Sequence, residues 1–384
     1  MFKKVLVANR AEVALRIMYA CRELGLRTVA IYSMEEEDAR HVKYADDAIC
    51  IGQGSIEDSY TNIANIVAAA KISGCDAIHP GSGFLAEDAE FARACEENDI
   101  AFIGPKATLI ELMSDSESAR EAASLCGVPI LPPDAEELES PRHIQVQVIA
   151  DEHGNRATIC ERDCTIQLKG QNILEEAPAT ILPKELRRQM MVSALKLIRT
   201  TNYENLGTIE FLFGRDGKFY FLKMATSLQS EYAITEEITG VDIVKEQIRV
   251  AAGEELSCSS NTIRFPKVQA MEFHIKSLDP RNEFKPCGGS LKKFTLPSGF
   301  GLRVDTEYRE GDKISAACPS TLAKIIVHAS DREECLARAK RVLKDFEIEG
   351  VVNTKDYILA ILDQPGFVDM GYGKDFIEKE MSDF

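Results

Sequence analysis

The chain has 384 residues, of which 45% are hydrophobic and 28% are charged, a composition typical of a globular protein with two or three domains. Its formal net charge is −17 at pH 7, and acidic residues are spread along the whole chain rather than gathered in a tail. This charge argues against a general nucleic-acid binder and against a protein of the membrane surface.

Cysteine usage and the first residues bear on cellular location. The eleven cysteines are an odd number without CxxC spacing, which is typical of reduced thiols. The closest pair, Cys160 and Cys164, has no further ligand nearby, so we predict no zinc site there. The opening MFKKVLVANR lacks a signal-peptide pattern, and no apolar run is long enough to span a bilayer. We therefore expect a cytoplasmic protein.

Strands and helices alternate in the first third of the chain. The pattern predicts strands at 3–8, 27–32, 76–79 and 100–103, and helices at 11–24, 60–70, 86–97 and 106–125. Such alternation predicts a doubly wound parallel sheet, with ligand-binding loops after its strands at 8–12 and 79–83. The first loop lacks GxGxxG, which argues against NAD or FAD. Asn9 in that loop fits an anion site and fits a helix cap equally well.

An acidic, proline-rich segment, PILPPDAEELESPRH, separates this part from the rest and reads as a linker. After it the pattern favours an antiparallel α+β arrangement. The predicted strands lie at 143–150, 156–162, 208–213, 218–224 and several places between 269 and 328, and the predicted helices at 183–200, 240–252, 331–345 and 353–363.

The hairpin at 208–224 carries two opposite charges on one face. Its strands flank the turn GRDG. If Phe213 lies opposite Lys218, then Glu210 lies opposite Phe221 and is the diagonal neighbour of Lys223. The simplest interpretation is a half-exposed ion pair of little energetic weight.

Nine segments look like the signature segments of a known protein family, and they follow one another along the chain in the same order as in that family. They read VLVANRAEVALRIMYACRELG, AIHPGSGFLAEDAEFA, FIGPKATLIELM, SPRHIQVQVIAD, ERDCTIQ, LEEAPA, GTIEFLF, ITGVDIVKEQIRVAAG and SGFGLRVD. The chain resembles the biotin carboxylase component of biotin-dependent carboxylases, an ATP-grasp enzyme. The resemblance implies an α/β N-terminal domain at 1–128, a linker at 129–140, an ATP-grasp-like antiparallel core at 141–265 and a biotin carboxylase C-terminal domain at 266–384.

One part of the family pattern is missing. In the family, a small α+β lid with a glycine run and a lysine for the ATP phosphates follows the segment that ends here at 128–129. Here roughly ten residues, with the hinge rewritten as AEEL at 135–138, lead into 139–143. So short a stretch cannot form a lid. The comparison predicts the loss of the phosphate cradle and of water exclusion.

Several family site residues are replaced. Of the two acids that hold Mg²⁺ in the family, Glu210 matches the first, and Lys223 stands in place of the second. Other replacements are Ala225 for the asparagine beside the second acid, Ser227 and Asn172 for an arginine and a lysine that handle bicarbonate, Ser116 and Gly170 for a nucleotide-side lysine and histidine, and Ser82 for a tyrosine near biotin.

Other family positions are kept. Glu231 matches the proposed general base, Gln229 a bicarbonate ligand and Arg303 the arginine that stabilises the biotin enolate. His143 and Gln167 match nucleotide-side positions. A purely structural interpretation stays open: Glu231 and Arg303 would form an ion pair, and Gln167 would satisfy a strand backbone.

The resemblance leaves three functional hypotheses. The first is a catalytically degenerate homologue (a pseudoenzyme) that binds no cofactor and acts as a structural or regulatory subunit of an acetyl-CoA, other acyl-CoA or pyruvate-type carboxylase. It would form a homodimer, or a heterodimer with an active biotin carboxylase, and join biotin carrier and carboxyltransferase subunits. The second is an active enzyme that uses ATP, Mg²⁺ and biotin. The third is a small-ligand sensor, or a different ligase, that uses the remaining cleft. In the first hypothesis Lys223 is an internal cation in place of the metal.

Overall fold

The first part of the chain forms a five-stranded parallel sheet in a computed structural model, which describes residues 1–131, 138–259, 266–316 and 321–382. Its strands are β1 (Lys4–Val7), β2 (Arg27–Ser33), β3 (Asp47–Gly52), β4 (Ala77–His79) and β5 (Ala101–Phe102), in the order β3-β2-β1-β4-β5. The helices of this part are α1 (Ala11–Glu23), α2 (Arg40–Tyr44), α3 (Ile63–Ile72), α4 (Ala89–Glu97), α5 (Ala107–Ser114) and α6 (Ser116–Leu125), with a short 3₁₀ turn at Met34–Glu36. The predicted parallel sheet is confirmed.

Local chemistry explains two departures from the predicted elements. Helix α3 begins after Asn62, later than predicted, because the Asn62 side chain accepts a hydrogen bond from the Asn65 amide as an N-cap. Asn9 does not cap α1. Its amide donates to the carbonyl oxygens of Pro80 and Ser82, each at 2.9 Å, and so joins the two loops that follow β1 and β4.

The rest of the chain is built on an eight-stranded antiparallel sheet, as predicted. The strands in chain order are β6 (Arg142–Ala150), β7 (Arg156–Leu168), β8 (Gln171–Ala177), β9 (Asn205–Phe213), β10 (Phe219–Ala225), β11 (Gln269–Lys276), β12 (Leu278–Asp279), β13 (Lys285–Pro286), β14 (Gly289–Ser290), β15 (Lys293–Thr295), β16 (Leu302–Asp305), β17 (Lys313–Ile314), β18 (Thr321–Ala329) and β19 (Glu347–Glu349). The large sheet has the order β10-β9-β6-β7-β8-β11-β18-β16, and the short strands form separate pairs.

Helices cover this sheet. They are α7 (Lys184–Thr200), α8 (Tyr232–Thr239), α9 (Ile243–Ala251), α10 (Arg332–Asp345), α11 (Lys355–Asp363), α12 (Pro365–Val368) and α13 (Phe376–Glu380). Buried side chains of α1, among them Val13 and Ile17, share one apolar cluster with Ile243 and Ile248 of α9, so the two halves of the chain have a common core. In the parts of the chain that the structure describes, no helix has both the length and the apolar character of a membrane span.

The register of the β9–β10 hairpin differs from the prediction. Phe213 pairs with Phe219, not Lys218, because the turn closes one residue further on, with the Gly214 amide bonded to the Lys218 carbonyl. A bulge between Phe221 and Lys223 then shifts the register. Lys223 therefore lies directly opposite Glu210 rather than diagonal to it.

The connection between α6 and β6 runs past the free edge of β10. Ile130 forms an isolated parallel bridge with Phe221, whose amide donates to the Pro129 carbonyl at 2.7 Å. Most of the predicted hinge, 135–137, lies outside the described residues. This connection leads directly into Arg142, the first residue of β6.

A buried ionic network fastens the C-terminal helices to the large sheet. Arg332 of α10 donates to both carboxylate oxygens of Glu176, at 2.7 and 3.0 Å, and the Tyr372 hydroxyl donates to the same carboxylate. The Arg142 guanidinium stacks 3.4 Å above the centre of the Tyr372 ring and pairs with Asp163 at 2.7 Å. The carboxylates therefore depend on their arginines for neutralisation.

We expect Arg332→Ala to lower the free energy of unfolding by about 3–5 kcal/mol, because it leaves the Glu176 carboxylate buried and unpaired. Urea denaturation followed by circular dichroism measures this change. Arg188→Ala is the matched control, since Arg188 pairs with Glu185 on the exposed face of α7, and should cost less than about 1 kcal/mol. Equal losses for the two variants would contradict the role assigned to the buried pair.

Candidate functional site

Most of the predicted site residues line one cavity of about 310 Å³ on the large sheet. From the predicted set it contains His143, Gln167, Asn172, Glu210, Lys223, Gln229 and Glu231, and it also contains Gln145, Gln171, His274 and Lys276. Arg303 does not line this cavity. Residues from β6, β7, β8, β9, β10 and β11 thus converge, because these six strands are adjacent in the sheet.

Both oxygens of the Glu210 carboxylate face a partner. Oε2 lies 2.7 Å from Nε2 of His143, and Oε1 lies 3.6 Å from Nζ of Lys223. The side chain of Glu210 is only 3% exposed, whereas that of Lys223 is 63% exposed. The expectation of an internal Lys223 cation is therefore wrong. The bulge sets Lys223 opposite Glu210 on the cavity side of the sheet, but most of the lysine side chain is exposed to solvent.

The tautomer of His143 follows from its second neighbour. The Gln167 amide nitrogen lies 2.7 Å from Nδ1 of His143 and 2.9 Å from Oδ1 of Asn172. An amide nitrogen only donates, so Nδ1 accepts and the ring proton lies on Nε2, where it is donated to Glu210. The same nitrogen lies 3.1 Å from the Cys164 carbonyl, the expected backbone contact, but its two protons can serve only two of these three acceptors at once.

Asn172 continues this hydrogen-bonded row to Glu231. Its amide donates to Oε1 of Glu231, while Oε2 has no hydrogen-bond partner among the described residues. Burial raises the pKa of Glu231, but Arg162, His274 and the Asn172 amide outweigh it and hold that pKa below its ordinary value. Glu231 is therefore an ionised carboxylate on the cavity wall, joined to Glu210 through the side chains of Asn172, Gln167 and His143.

Arg303 belongs to a different cluster. It donates to Asp305, with its closest contact at 2.7 Å, and to Glu236 at 2.9 Å. Arg16 of α1 shares Glu236 at 2.8 Å. Burial lowers the pKa of Arg303, but Asp305 and Glu236 outweigh it and raise the value overall. The expected Glu231–Arg303 ion pair is wrong, because both side chains have other partners.

Glu87 was not singled out from the sequence, yet it contacts Ser227 and Gln229, the positions matched to bicarbonate residues of the family. Its Oε1 accepts from the Ser227 hydroxyl at 2.9 Å, the Gln229 amide at 3.2 Å and the Thr226 backbone amide at 3.1 Å. Gln229 also donates to Ser227 at 3.0 Å. Glu87 precedes α4, so this carboxylate links the parallel sheet to the cavity.

A second missed group consists of His274, which lines the cavity, and two buried carboxyls beside it. Nε2 of His274 is 3.2 Å from Glu175 and 3.7 Å from Glu272. Burial, with the charge of Glu231, raises the pKa of Glu175 well above its usual range, and burial raises that of Glu272 to about 7. Burial also lowers the pKa of His274 to about 4. Glu272 and His274 alternate along β11, so the strand pattern alone places them on one face.

The described residues include no group of three or more His, Cys, Asp or Glu side chains that could hold a metal ion. Cys160 and Cys164 are buried free thiols, and burial raises the pKa of both well above the usual range. Neither cysteine is therefore a thiolate ligand at neutral pH.

Models of known protein families match almost the whole chain. Residues 1–110 match the family model "Biotin carboxylase, N-terminal domain", residues 102–259 "Carbamoyl-phosphate synthase L chain, ATP binding domain" and residues 272–379 "Biotin carboxylase C-terminal domain". Two of these models describe biotin carboxylase domains, and the third describes an ATP-binding domain. The chain belongs to the biotin carboxylase family.

Individual relatives give the degree of similarity. Biotin carboxylase 1 of Bacillus subtilis (strain 168) is 38% identical, with 98% of each chain covered. The biotin carboxylase of Haemophilus influenzae is 36% identical, with 99% of each chain covered. The biotin carboxylase domain dimer of Hydrogenobacter thermophilus 2-oxoglutarate carboxylase, solved with MgADP, ADP and bicarbonate, has a TM-score of 0.95 and 36% identity over 99% of this chain and 98% of that one.

We expect Lys223→Ala to change the free energy of unfolding by less than about 1 kcal/mol, because the lysine side chain is mostly solvated. Glu210→Ala is the paired variant. It should cost about 1–3 kcal/mol, since it leaves the buried His143 Nε2–H without its acceptor. Thermal or urea unfolding of both variants checks the order, and a larger loss for Lys223→Ala would contradict it.

Glu272 should give the protein a distinctive pH dependence. Its folded pKa is raised from 4.5 to about 7, so the stability it contributes is present below about pH 4.5 and lost as the pH rises through about 7. Glu272→Gln stays neutral. Wild type loses stability over this range because Glu272 must ionise in a buried site, whereas the glutamine variant does not. The free energy of unfolding of Glu272→Gln, relative to that of wild type, should therefore rise by up to about 3 kcal/mol between about pH 5 and about pH 8.

Urea denaturation of both proteins across this range measures the difference. His274 titrates with the opposite sign, since its folded pKa is lowered to about 4. It is present in both proteins and largely cancels in the comparison. Parallel stability curves would contradict the assignment to Glu272.

Proposed function

We propose that this chain is a catalytically degenerate member of the biotin carboxylase family that acts as a structural or regulatory subunit of a biotin-dependent carboxylase. One observation carries the proposal. The two oxygens of Glu210, the acid that matches a metal ligand of the family, face the Lys223 ammonium and the His143 N–H.

The residues present do not fit Mg²⁺. The ion needs oxygen ligands and binds through one or two carboxylates together with substrate phosphates. Lys223 places a positive charge 3.6 Å from one Glu210 oxygen. This lysine occupies the position at which the family has its second metal-binding acid. A metal at Oε1 of Glu210 would have to overcome repulsion by the Lys223 ammonium, and a metal at Oε2 would compete with the His143 hydrogen bond.

The bicarbonate side of the cavity supports the same proposal. Asn172 and Ser227, which stand where the family has a lysine and an arginine, are bonded to Glu231 and Glu87. Gln229 is also bonded to Glu87. Arg303 is held by Asp305 and Glu236. Stabilising a developing oxyanion needs several donors aimed at one point, and these side chains are directed elsewhere.

The length of the chain is consistent with a lost lid. The alignment with the Bacillus subtilis biotin carboxylase spans 444 positions, 60 more than the 384 residues of this chain. Residues 126–141 are all that connects α6 to β6. We infer that the missing positions include the lid at this connection. Without it, ATP would lose both its phosphate cradle and its shelter from water.

The assembly we propose follows the relatives. The Hydrogenobacter thermophilus domain was solved as a dimer, and other relatives are subunits of pyruvate and 2-oxoglutarate carboxylases. We propose that this chain pairs with itself or with an active biotin carboxylase in the cytoplasm, within a complex that contains biotin carrier and carboxyltransferase subunits.

We expect the purified protein to show no bicarbonate-dependent ATP cleavage with free biotin. The Bacillus subtilis biotin carboxylase is the positive control under the same conditions. Calorimetric titration with Mg-ATP should give only the heat of dilution. Robust turnover would disprove the proposal, whereas micromolar binding of Mg-ATP without turnover would limit the defect to the chemical step.

We also expect Lys223→Glu alone to restore no activity, because the proposed defect has several parts. A chain that carries Lys223→Glu, Asn172→Lys, Ser227→Arg and a grafted lid is the stronger test. Turnover by the single variant would show that Lys223 alone is the block.

A further inference from the structure

A second cavity adjoins the first and has a different chemical character. Its volume is about 260 Å³, and it shares Gln171, Lys276 and Thr321 with the first cavity. Its apolar lining consists of Leu168, Leu278, Phe284 and Pro286. Small-molecule sites measure about 300–1,000 Å³, so the second cavity alone is slightly smaller than this range and the first lies at its lower end.

The charged groups of this second cavity are both cationic. Lys169 and Lys276 line it, and no acidic side chain of the described residues does. Nζ of Lys276 donates to the neutral Gln171 side-chain oxygen at 2.9 Å, and Nζ of Lys169 to the Glu283 carbonyl at 2.6 Å. Neither ammonium has an ion-pair partner within 4.0 Å in the part of the chain that the structure describes. Lys276 is also half-buried, so its charge is poorly solvated.

The apolar wall is held in a strained conformation. Glu283 and Phe284 are consecutive non-glycine residues with φ of +52° and +56°, in the turn between β12 and β13. A bulky residue in this region is uncommon, and such strain tends to collect at functional sites. The Phe284 ring packs edge-to-face on Tyr357 at 4.9 Å between centroids. The ring is thus fixed against the cavity.

We propose that this second cavity binds a small amphiphilic anion, a carboxylate or a phosphate monoester that bears a short apolar chain. The anionic head contacts Lys276 and Lys169, and the apolar chain lies against Phe284 and Leu278. The proposal goes beyond the proposed function, because it requires neither loss nor retention of catalysis. None of its four contact residues belongs to the Glu210 and Glu231 row.

Isothermal titration calorimetry with chosen probes tests the site. We expect saturable binding of octanoate or of octyl phosphate, and the tighter of the two identifies the preferred head group. Acetate has the charge without the chain, and 1-octanol has the chain without the charge. Both should bind at least tenfold more weakly. Equal binding of 1-octanol, or no saturable heat with either anion at millimolar concentration, would overturn the proposal.

Variants locate the binding. Lys276→Met keeps the apolar stem and removes the charge, and it should weaken the better probe at least tenfold. Lys285→Met is the matched control, since Lys285 is exposed, follows Phe284 and lies outside the cavity lining, and should leave the affinity unchanged. Equal weakening by both would mean a non-specific charge effect and would overturn the proposal.

Two more variants guard against a folding defect. If Lys276→Met melts at a lower temperature than wild type, the exposed Lys169→Met takes its place and must weaken binding of the anion without weakening that of 1-octanol. Phe284→Ser should weaken octanoate and 1-octanol alike. Unchanged affinity in Lys169→Met and Phe284→Ser would remove the site.

Discussion

The cavity of this protein is organised around one buried charge, the Glu210 carboxylate. A carboxylate excluded from water must be matched by donors or a cation, and here the His143 N–H and the Lys223 ammonium supply them. Hydrogen bonds extend from this carboxylate across the neighbouring strands of the sheet. His143 faces Glu210 through Nε2 and the Gln167 amide nitrogen through Nδ1, and that same amide nitrogen faces the Asn172 oxygen. The side-chain orientations of this row are therefore interdependent.

The need to compensate a buried charge also explains the different states of Glu231 and Glu175. Glu231 stays ionised because the Arg162 charge and the hydrogen bond from Asn172 offset its burial, while Glu175 beside it has a raised pKa. These two neighbouring buried carboxyls therefore have pKa values displaced in opposite directions. Only one of them is charged, so the protein avoids placing two negative charges side by side where water is excluded. Arg303 takes no part in this balance, because Asp305 and Glu236 neutralise it elsewhere.

Much of the fold could be predicted from sequence, since it depends on local patterns. The alternation of strands with helices indicated the parallel sheet, and the run of successive predicted strands after residue 143 indicated the antiparallel one. The matched segments placed most site residues on neighbouring strands. The facing of Lys223 and Glu210 could not be predicted, because it depends on a bulge and on where the turn after Gly214 closes. The role of Glu87 depends on contacts with Ser227 and Gln229 across the fold, which no local pattern encodes.

The bridge between Ile130 and Phe221 has a consequence for solubility. Strand β10 is at the end of the large sheet, and an uncovered edge strand is a template for pairing between molecules. The short connection after α6 engages this edge through the Phe221 amide. The part of the connection that the structure describes beside β10, Pro129 and Ile130, thus occupies this edge. A substitution that detached it would leave the edge open to pairing between molecules.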